Sequence, residues 1–494
     1  MEMSVLENNR VLTYVKDNYL IIIILLLGSI LRIYDLSGES LWLDEVVSIE
    51  YAKLSIADQI RSIFEQADNN PPLYYTILHF WIDWFGDSEF SSRLPSAIFG
   101  SFSVLFIYMV GCALFDKKVG IISALILAVS EFNIQYSQEA RAYSLMALLS
   151  LISYYYFLRI MVSRKTIYSV AYVVFSLLLM YSHFYGILIV VAQNIYCFTQ
   201  FLSHKKAGEL NFKRWFYLQL LLGLLFIPGL VLWAINFSHV QTGFWLAKPS
   251  IKGFVAYFYH FSSDSFFLFV VFGLFSVLSL VNIKNIKSKG RIREIFDFTE
   301  DSTVYPGMSN VDKIYFLLLW VLTPIVLPFI ISQISTPILS SRYLIGAAPA
   351  FYILVSKGIT NTKINKLMLL IIGIIVIVSF MDLRKYYNGI EKHQWRETIE
   401  HIELSANEGD YVFVVPSYDK RSASYYLKRP DLKLMELNSE SLSKLDKSNY
   451  RFWVAVSFLA STQEEYREML ELLRDYELVS EKEYERINLY LYNN

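Results

Sequence analysis

Long runs of apolar residues decide what this chain can fold into. A helix needs about 20 mostly apolar residues to cross a bilayer. Eleven segments read as such spans: 18–34, 94–115, 119–136, 142–158, 166–182, 184–203, 215–236, 265–283, 314–334, 343–356 and 367–381. Residues 166–182 and 184–203 would merge on a hydropathy plot, but Tyr181-Ser182-His183 between them separates two spans. Segment 18–34 has no small-residue cleavage site after it and is read as a retained span. Composition agrees. Of 494 residues, 55% are hydrophobic and only 18% charged, against about 25% charged in soluble domains. The 36 tyrosines and 36 phenylalanines exceed what a core needs, and Tyr and Trp favour the membrane–water interface. The expected fold class is a polytopic α-helical membrane protein. A net charge of −1 gives no reason to expect nucleic acid. Cys112 and Cys197 lie in apolar runs and read as buried filler without metal-type spacing.

Loop charge sets the expected orientation, because short cytoplasmic loops collect lysine and arginine. With the N-terminus inside, the inner loops hold Lys117, Lys118, Arg159, Arg164, Lys165, Lys205, Lys206, Lys213, Arg214, the run Lys284 to Arg293, Lys313, Lys357, Lys363 and Lys366. The outer loops hold only Lys53, Arg61, Arg93, Arg141, Lys248, Lys252 and Arg342. Counting residues 71–85 (PPLYYTILHFWIDWF) as a span would reverse every later loop. They are short, begin with two prolines and contain His79 and Asp83. They read as a helix lying in the outer interface, with Pro71 and Pro72 at its first turn. The localisation expected is a cell membrane, plasma or inner, with a cytoplasmic N-terminus.

Two outer regions follow. One is a long first loop, 35–93, carried by a transmembrane domain over 1–381. The other is a tail, 382–494, where YVFVV (411–415), RFWVAV (451–456) and INLYLY (487–492) read as strands and 462–474 as a helix. Such alternation predicts a small soluble α/β domain outside the membrane. Gly409-Asp410 marks the turn into the first strand.

The span interiors lack Asp, Glu, Lys and Arg, and the exceptions, Arg32 and Glu131, sit at span ends. Buried charge marks ion- and proton-coupled pathways, so a transporter is disfavoured and attention moves to the outer boundary. Polar clusters gather there. Asp44 and Glu45 follow Trp42 in the first loop, either as solvated loop acids or as a general base that takes a proton from an attacking hydroxyl. Adjacent helical residues point about 100° apart, so one of the pair would face the chemistry and the other orient it. Asp68-Asn69-Asn70-Pro71-Pro72-Leu73-Tyr74-Tyr75 reads equally well as a helix cap. Glu139 and Arg141 form either an interface ion pair or part of a site. His183 lies between Tyr181 and Tyr185 in a short turn, where a structural role is the plainer reading. Arg342, with Tyr343 beside it, opposes the positive-inside trend, and a lipid phosphate would explain it.

The order of these motifs resembles a known group: LRIYDL, LWLDE, NNPPLYY, FGDSEFSSRLPSAIFG, YSQEARAYSL, SHFYG and SRYLIGAAP. The chain is similar to the C superfamily (GT-C) of membrane glycosyltransferases. The nearest branch holds the dolichyl-phosphate-mannose protein mannosyltransferases and the lipid A aminoarabinose transferases. The resemblance covers residues 20–200 and, more loosely, 340–350. It implies a GT-C fold and inverting transfer of a sugar from a polyprenyl-phosphate donor to a lipid, glycan or protein acceptor on the non-cytoplasmic side. It implies Asp44 as base, Glu139 as a second acid near the site, and Arg342, with Arg141, as phosphate contacts. It leaves a divalent metal open, since members differ. Where the family carries His-Pro-Pro, this chain has Asn70-Pro71-Pro72, so no proton or metal role carries to position 70. Trp395-Arg396 opens an outer α/β domain in relatives. The competing readings are a flippase or transporter of lipid-linked saccharides, and a polymerase or ligase, whose long loop usually comes late.

Overall fold

Each of the eleven apolar segments overlaps a helix in the computed structural model, which describes residues 2–66, 70–203, 209–240, 246–280, 308–443, 445, 451–457 and 463–493, so that the end of segment 265–283 lies outside the described residues. Asp68, Asn69, Lys205, Lys206, the basic run Lys284 to Arg293 and position 462 lie outside the described residues. Contacts divide the chain into two units. The first holds Met1–Tyr34, Leu54–Ile77 and Arg93–Lys385, and the second Asp35–Lys53, Leu78–Ser92 and Tyr386–Asn494.

Among the described residues, length and composition qualify five helices as spans: Glu89–Leu114, Tyr143–Val162, Tyr185–Leu202, Asn310–Ile334 and Asn365–Asn388. The number rises to eight among the described residues if three bent pairs each count once. Asn18–Ile33 and Thr166–Ser182 are shorter apolar helices. Segment 343–356 is divided between a 3-10 turn, Ser341–Leu344, and the helix Ala348–Asn361. Hydropathy averages over a break, so it shows none of the bends.

Each bend has a local cause. Lys117–Val129 and Glu131–Ser137 meet at 60°. Ser130 leaves the helical region there and its hydroxyl caps the second helix, accepting from the Asn133 amide. The break strands the last carbonyls of the first helix. Arg32 supplies donors, from Nη2 to the Leu127 carbonyl (3.0 Å) and from Nη1 to the Ala128 carbonyl (3.2 Å). Its Nη1 also reaches the Gly28 carbonyl of its own helix. This is how a fully buried arginine is accommodated at a span end. Phe212–Leu225 and Ile227–Ile235 meet at 56° beside Pro228, which lacks an amide hydrogen. Ile251–Phe261 and Phe266–Leu278 meet at 96°, through Ser263 and Asp264 with φ of 57° and 51°. The first of these last two helices begins in what the sequence reading leaves as an outer loop.

One close approach depends on a missing side chain. A Cβ on Gly358 would lie 1.7 Å from the Phe275 carbonyl oxygen, so helix Ala348–Asn361 can touch Phe266–Leu278 only through glycine. Gly358→Ala should destabilise the protein by about 1–3 kcal/mol, as overpacking does. A thermal unfolding midpoint in detergent equal to the parent's would contradict this packing.

The segment 71–85 forms the helix Leu73–Phe85 of 13 residues. At ~1.5 Å per residue it is about 20 Å long, short of the ~30 Å hydrocarbon layer. Trp84, Phe80 and Phe85 are exposed.

The second unit contains a five-stranded sheet in the order β2-β1-β3-β5-β4, with β1 Tyr411–Val415, β2 Lys433–Glu436, β3 Phe452–Ser457, β4 Glu477–Tyr484 and β5 Ile487–Asn493. The three strands expected from sequence are β1, β3 and β5. β1 runs parallel to β2 and β3, while β5 runs antiparallel to β3 and β4. Alternate residues feed two cores. Val412, Val414, Trp453, Ala455, Leu489 and Leu491 pack with Trp395, Ile399 and Ile402 of helix Trp395–Ser405. Phe413, Val415, Val454, Val456, Tyr490 and Tyr492 pack with Met469 and Leu473, at helix Gln463–Leu472. Both faces are covered, which is why the central strands are continuously apolar.

Segments of the first loop belong to this unit. Arg396 donates to the carbonyls of Ser37 (3.1 Å) and Gly38 (2.7 Å) and to Glu89 (2.8 Å). Tyr426 donates to Glu89 at 2.8 Å and its oxygen accepts from the Leu41 amide. Trp395-Arg396 thus anchors the unit, with Trp395 in the core and Arg396 on loop carbonyls.

Candidate functional site

The bend Gln138–Ala142 joins helix Glu131–Ser137 to helix Tyr143–Val162 and carries two of the expected residues. Glu139 is 5% exposed and Arg141 8%. The bend is tied on both sides. Gln138 Nε2 donates to the carbonyls of Arg32 (3.2 Å) and Tyr34 (2.7 Å). The Arg141 amide donates to the Glu139 carbonyl at 2.7 Å, and the Arg141 carbonyl accepts from Ser96 Oγ at 3.2 Å. Ser96 is itself hydrogen-bonded to the Tyr74 hydroxyl at 2.8 Å. Arg141 Nη1 reaches the Tyr75 hydroxyl at 3.4 Å. Tyr74 and Tyr75 are buried, so the tyrosines of NNPPLYY brace the Arg141 bend. Asn70, just before the prolines, is 9% exposed.

Arg342 arrives from the 3-10 turn Ser341–Leu344. That turn is fixed where it leaves, because the Gly346 carbonyl accepts from Trp320 Nε1 (2.9 Å) and Ser150 Oγ (2.8 Å). Arg342 Cζ lies 5.9 Å from the Tyr143 ring and 5.5 Å from the Tyr343 ring, and Arg141 Cζ lies 6.0 Å from Tyr143. Two guanidiniums therefore flank one tyrosine. Tyr136 closes the group: its hydroxyl is hydrogen-bonded with Ser341 and sits in the field of Glu139 and Arg342.

His183 completes the cluster from the turn between Thr166–Ser182 and Tyr185–Leu202. Its ring is 5.0 Å from Tyr343 and 6.1 Å from Tyr143. Burial, then the positive charges of Arg141 and Arg342, push its pKa down to about 3. The imidazole is neutral, and Nδ1 accepts from the Tyr185 amide at 3.2 Å. That acceptance leaves the ring proton on Nε2. The first unit thus gathers Arg141, His183, Arg342 and Tyr343 around Tyr143, with Glu139 near the neighbouring Tyr136. Two arginines outweigh one carboxylate beside a neutral histidine, and such a pocket suits an anion with several oxygens, because guanidinium forks match phosphate geometry.

The carboxylates of LWLDE lie in the second unit, and helix Leu43–Lys53 separates their roles. Glu45 is fully buried; Oε2 accepts from Lys392 Nζ at 3.1 Å and from the Trp42 amide at 3.4 Å. Asp44, in the first turn, is half-buried, and its carbonyl accepts from Ser48 Oγ. No signal near Asp44 points to Lys392, which stands far along the chain. Breaking a buried pair leaves an uncompensated charge, typically costing about 3–5 kcal/mol. Lys392→Met should destabilise by that order, and Glu45→Gln with Lys392→Met together by less. Equal loss in the single and double variants, measured by denaturant unfolding, would refute the pairing.

Among the described residues, no group of three or more His, Cys, Asp or Glu side chains is placed to hold a metal ion.

Residues 69–233 match the family dolichyl-phosphate-mannose-protein mannosyltransferase. The fold is similar to that of ArnT from Cupriavidus metallidurans, in its apo state, at TM-score 0.62 and 11% identity, covering 95% of this chain and 97% of that one. This chain shares the fold of that protein. The undecaprenyl phosphate-bound form of the same ArnT matches this chain at TM-score 0.59 and 11% identity, over 96% of this chain and 98% of that one. The Archaeoglobus fulgidus oligosaccharyltransferase, in complex with zinc and sulfate, matches at TM-score 0.52 and 12% identity, over 96% and 73%. No curated protein matches the sequence.

Proposed function

We propose that this chain is an inverting GT-C glycosyltransferase that moves a sugar from a polyprenyl-phosphate donor to an acceptor hydroxyl on the non-cytoplasmic side of a cell membrane. The observation that carries the reading is the pairing of Arg141 and Arg342 about Tyr143, beside Glu139 and neutral His183, in a membrane-type helical unit. An anionic lipid headgroup is the ligand such a cluster fits. The mannosyltransferase family match over residues 69–233 and the fold shared with an undecaprenyl phosphate-bound protein support the same donor class.

Arg342 and Arg141 hold the donor phosphate, and Tyr343, Tyr74, Asn70 and His183 line or brace its surroundings. Asp44 is the base, the position that the family resemblance assigns, while Glu45 is buried against Lys392 and the Trp42 amide. Asp44 takes the acceptor proton as the acceptor oxygen bonds to the anomeric carbon. The bond from that carbon to the phosphate oxygen breaks, and polyprenyl phosphate leaves with the electron pair. Glu139 contributes negative charge near the bound donor and helps to orient it. Phosphate is already a good leaving group, so electrostatic positioning carries most of the catalysis. Incubating the purified protein with radiolabelled polyprenyl-phosphate hexoses and pentoses plus membrane extract tests the reading. Label transferred to an extract component supports it. Label moved across vesicles with the donor intact would favour a flippase instead.

A further inference from the structure

The second unit holds a cleft of about 1100 Å³ that the transfer reading does not use. One wall is helix Leu43–Lys53, which lines it with Val46, Ile49, Glu50 and Lys53. Val46 is three and four residues before Ile49 and Glu50, and Lys53 four and three after them, so the four share one face. Asp44 lies two residues before Val46, about 200° around the helix, and is not among the lining residues. The opposite wall comes from 396–429, including Arg421, Tyr425 and Tyr426, and Asp87 to Glu89 close one end.

The lining has three properties. Its charge balances: Glu50, Asp87, Glu89, Glu400 and Glu403 face Lys53, Arg396, Arg421, Lys428 and Arg429. Many of these are paired across the cleft, Lys53 with Asp87 at 2.6 Å, Arg396 with Glu89 at 2.8 Å and Arg421 with Glu50 at 3.4 Å. The walls also offer donors and acceptors without a net field, so neither a phosphorylated ligand nor a polycation is favoured. Second, an aromatic and apolar surface lies between the charges. Tyr425 and Tyr426 meet edge to face at 4.9 Å, and Leu404, also in the lining, is exposed. Third, the volume is at or above the ~300–1,000 Å³ of small-molecule pockets, room for an oligomer. Burial raises the Glu50 carboxyl pKa against the opposing pull of Arg421 and Lys53.

A sugar ring presents apolar C–H faces and a rim of hydroxyls that both donate and accept. We propose that this cleft binds a neutral oligosaccharide, at a site separate from the carboxylate of Asp44. Rings would lie on Tyr425 and Leu404, with hydroxyls bridging the acid–base pairs of the walls.

The test uses the full-length protein in detergent and a panel of labelled neutral oligosaccharides, glucose-, mannose- and N-acetylglucosamine-based, read by fluorescence polarisation. Saturable binding of at least one is expected. Tyr425→Ala should weaken it about tenfold, the scale of one aromatic contact, and the exposed Arg421→Gln, which spares the core, should weaken it too. Asp44→Asn should leave it unchanged while ending transfer, so failure of the transfer reading and failure of this one are distinguishable. The proposal is overturned by absence of binding across the panel, by binding that neither cleft substitution alters, by loss of binding in Asp44→Asn, or by tighter retention of acidic peptides than of any saccharide.

Discussion

Asp44→Asn is expected to lower the turnover of sugar transfer by about 10²–10⁴-fold, the contribution of a positioned base, while expression and detergent unfolding stay at parental levels. Asn preserves size and hydrogen bonding and removes only the ability to take a proton. Glu45 cannot stand in for it. Its carboxylate is fully buried and held by Lys392 and the Trp42 amide, so reaching a substrate would require breaking a desolvated ion pair. Turnover within a few-fold of the parent, measured with a saturating labelled donor, would remove Asp44 from the reaction.

The second large effect concerns donor binding. Arg342→Ala should raise the dissociation constant for a polyprenyl phosphate by about 10- to 100-fold, as loss of a charge-assisted hydrogen bond of ~1.5–3 kcal/mol requires. Arg342→Lys should recover only part, because an ammonium keeps the charge and loses the planar fork. Arg141→Ala should weaken binding as well, and the double variant by less than the product of the singles, since both guanidiniums approach Tyr143 and would share one anion. Additive losses, or unchanged affinity in Arg342→Ala, would show that the two arginines do not meet a common ligand.

Which parts of this structure could be read from the chain follows from where each signal resides. Apolar runs are local, and the helices appear where they stand. The central strands β1, β3 and β5 are legible because both sheet faces are covered and each strand is a block of Val, Phe, Tyr or Leu. The flanking strands are not. β2 has four residues, with Lys433 and Glu436 exposed at its ends, and β4 (ELVSEKEY) is exposed along almost its whole length. Neither has a period to detect. The motif order brought Glu139, Arg141, His183 and Arg342 forward as candidates, and they share one cluster in the first unit. What divides Asp44 from Glu45 is a lysine more than three hundred residues away, and no local pattern carries that. The bends are hidden for a related reason: a serine, or a Ser-Asp pair in the left-handed region, barely changes the hydropathy of a window.

Arg32 has a consequence for how the protein is made. Its guanidinium is satisfied by the Leu127 and Ala128 carbonyls, and the carbonyl of Arg32 itself receives Gln138. None of those partners exists when the first helix leaves the ribosome. At about 5–20 residues per second, the roughly 95 residues between them take on the order of 5–20 s to emerge. For that interval the nascent chain carries an uncompensated charge at the margin of the bilayer. Biogenesis therefore requires the first helix to wait, snorkelled toward headgroups or held by the insertion machinery, until the kinked helix arrives. The bend that carries Glu139 and Arg141 is then set by a late docking event rather than by insertion of its own segment.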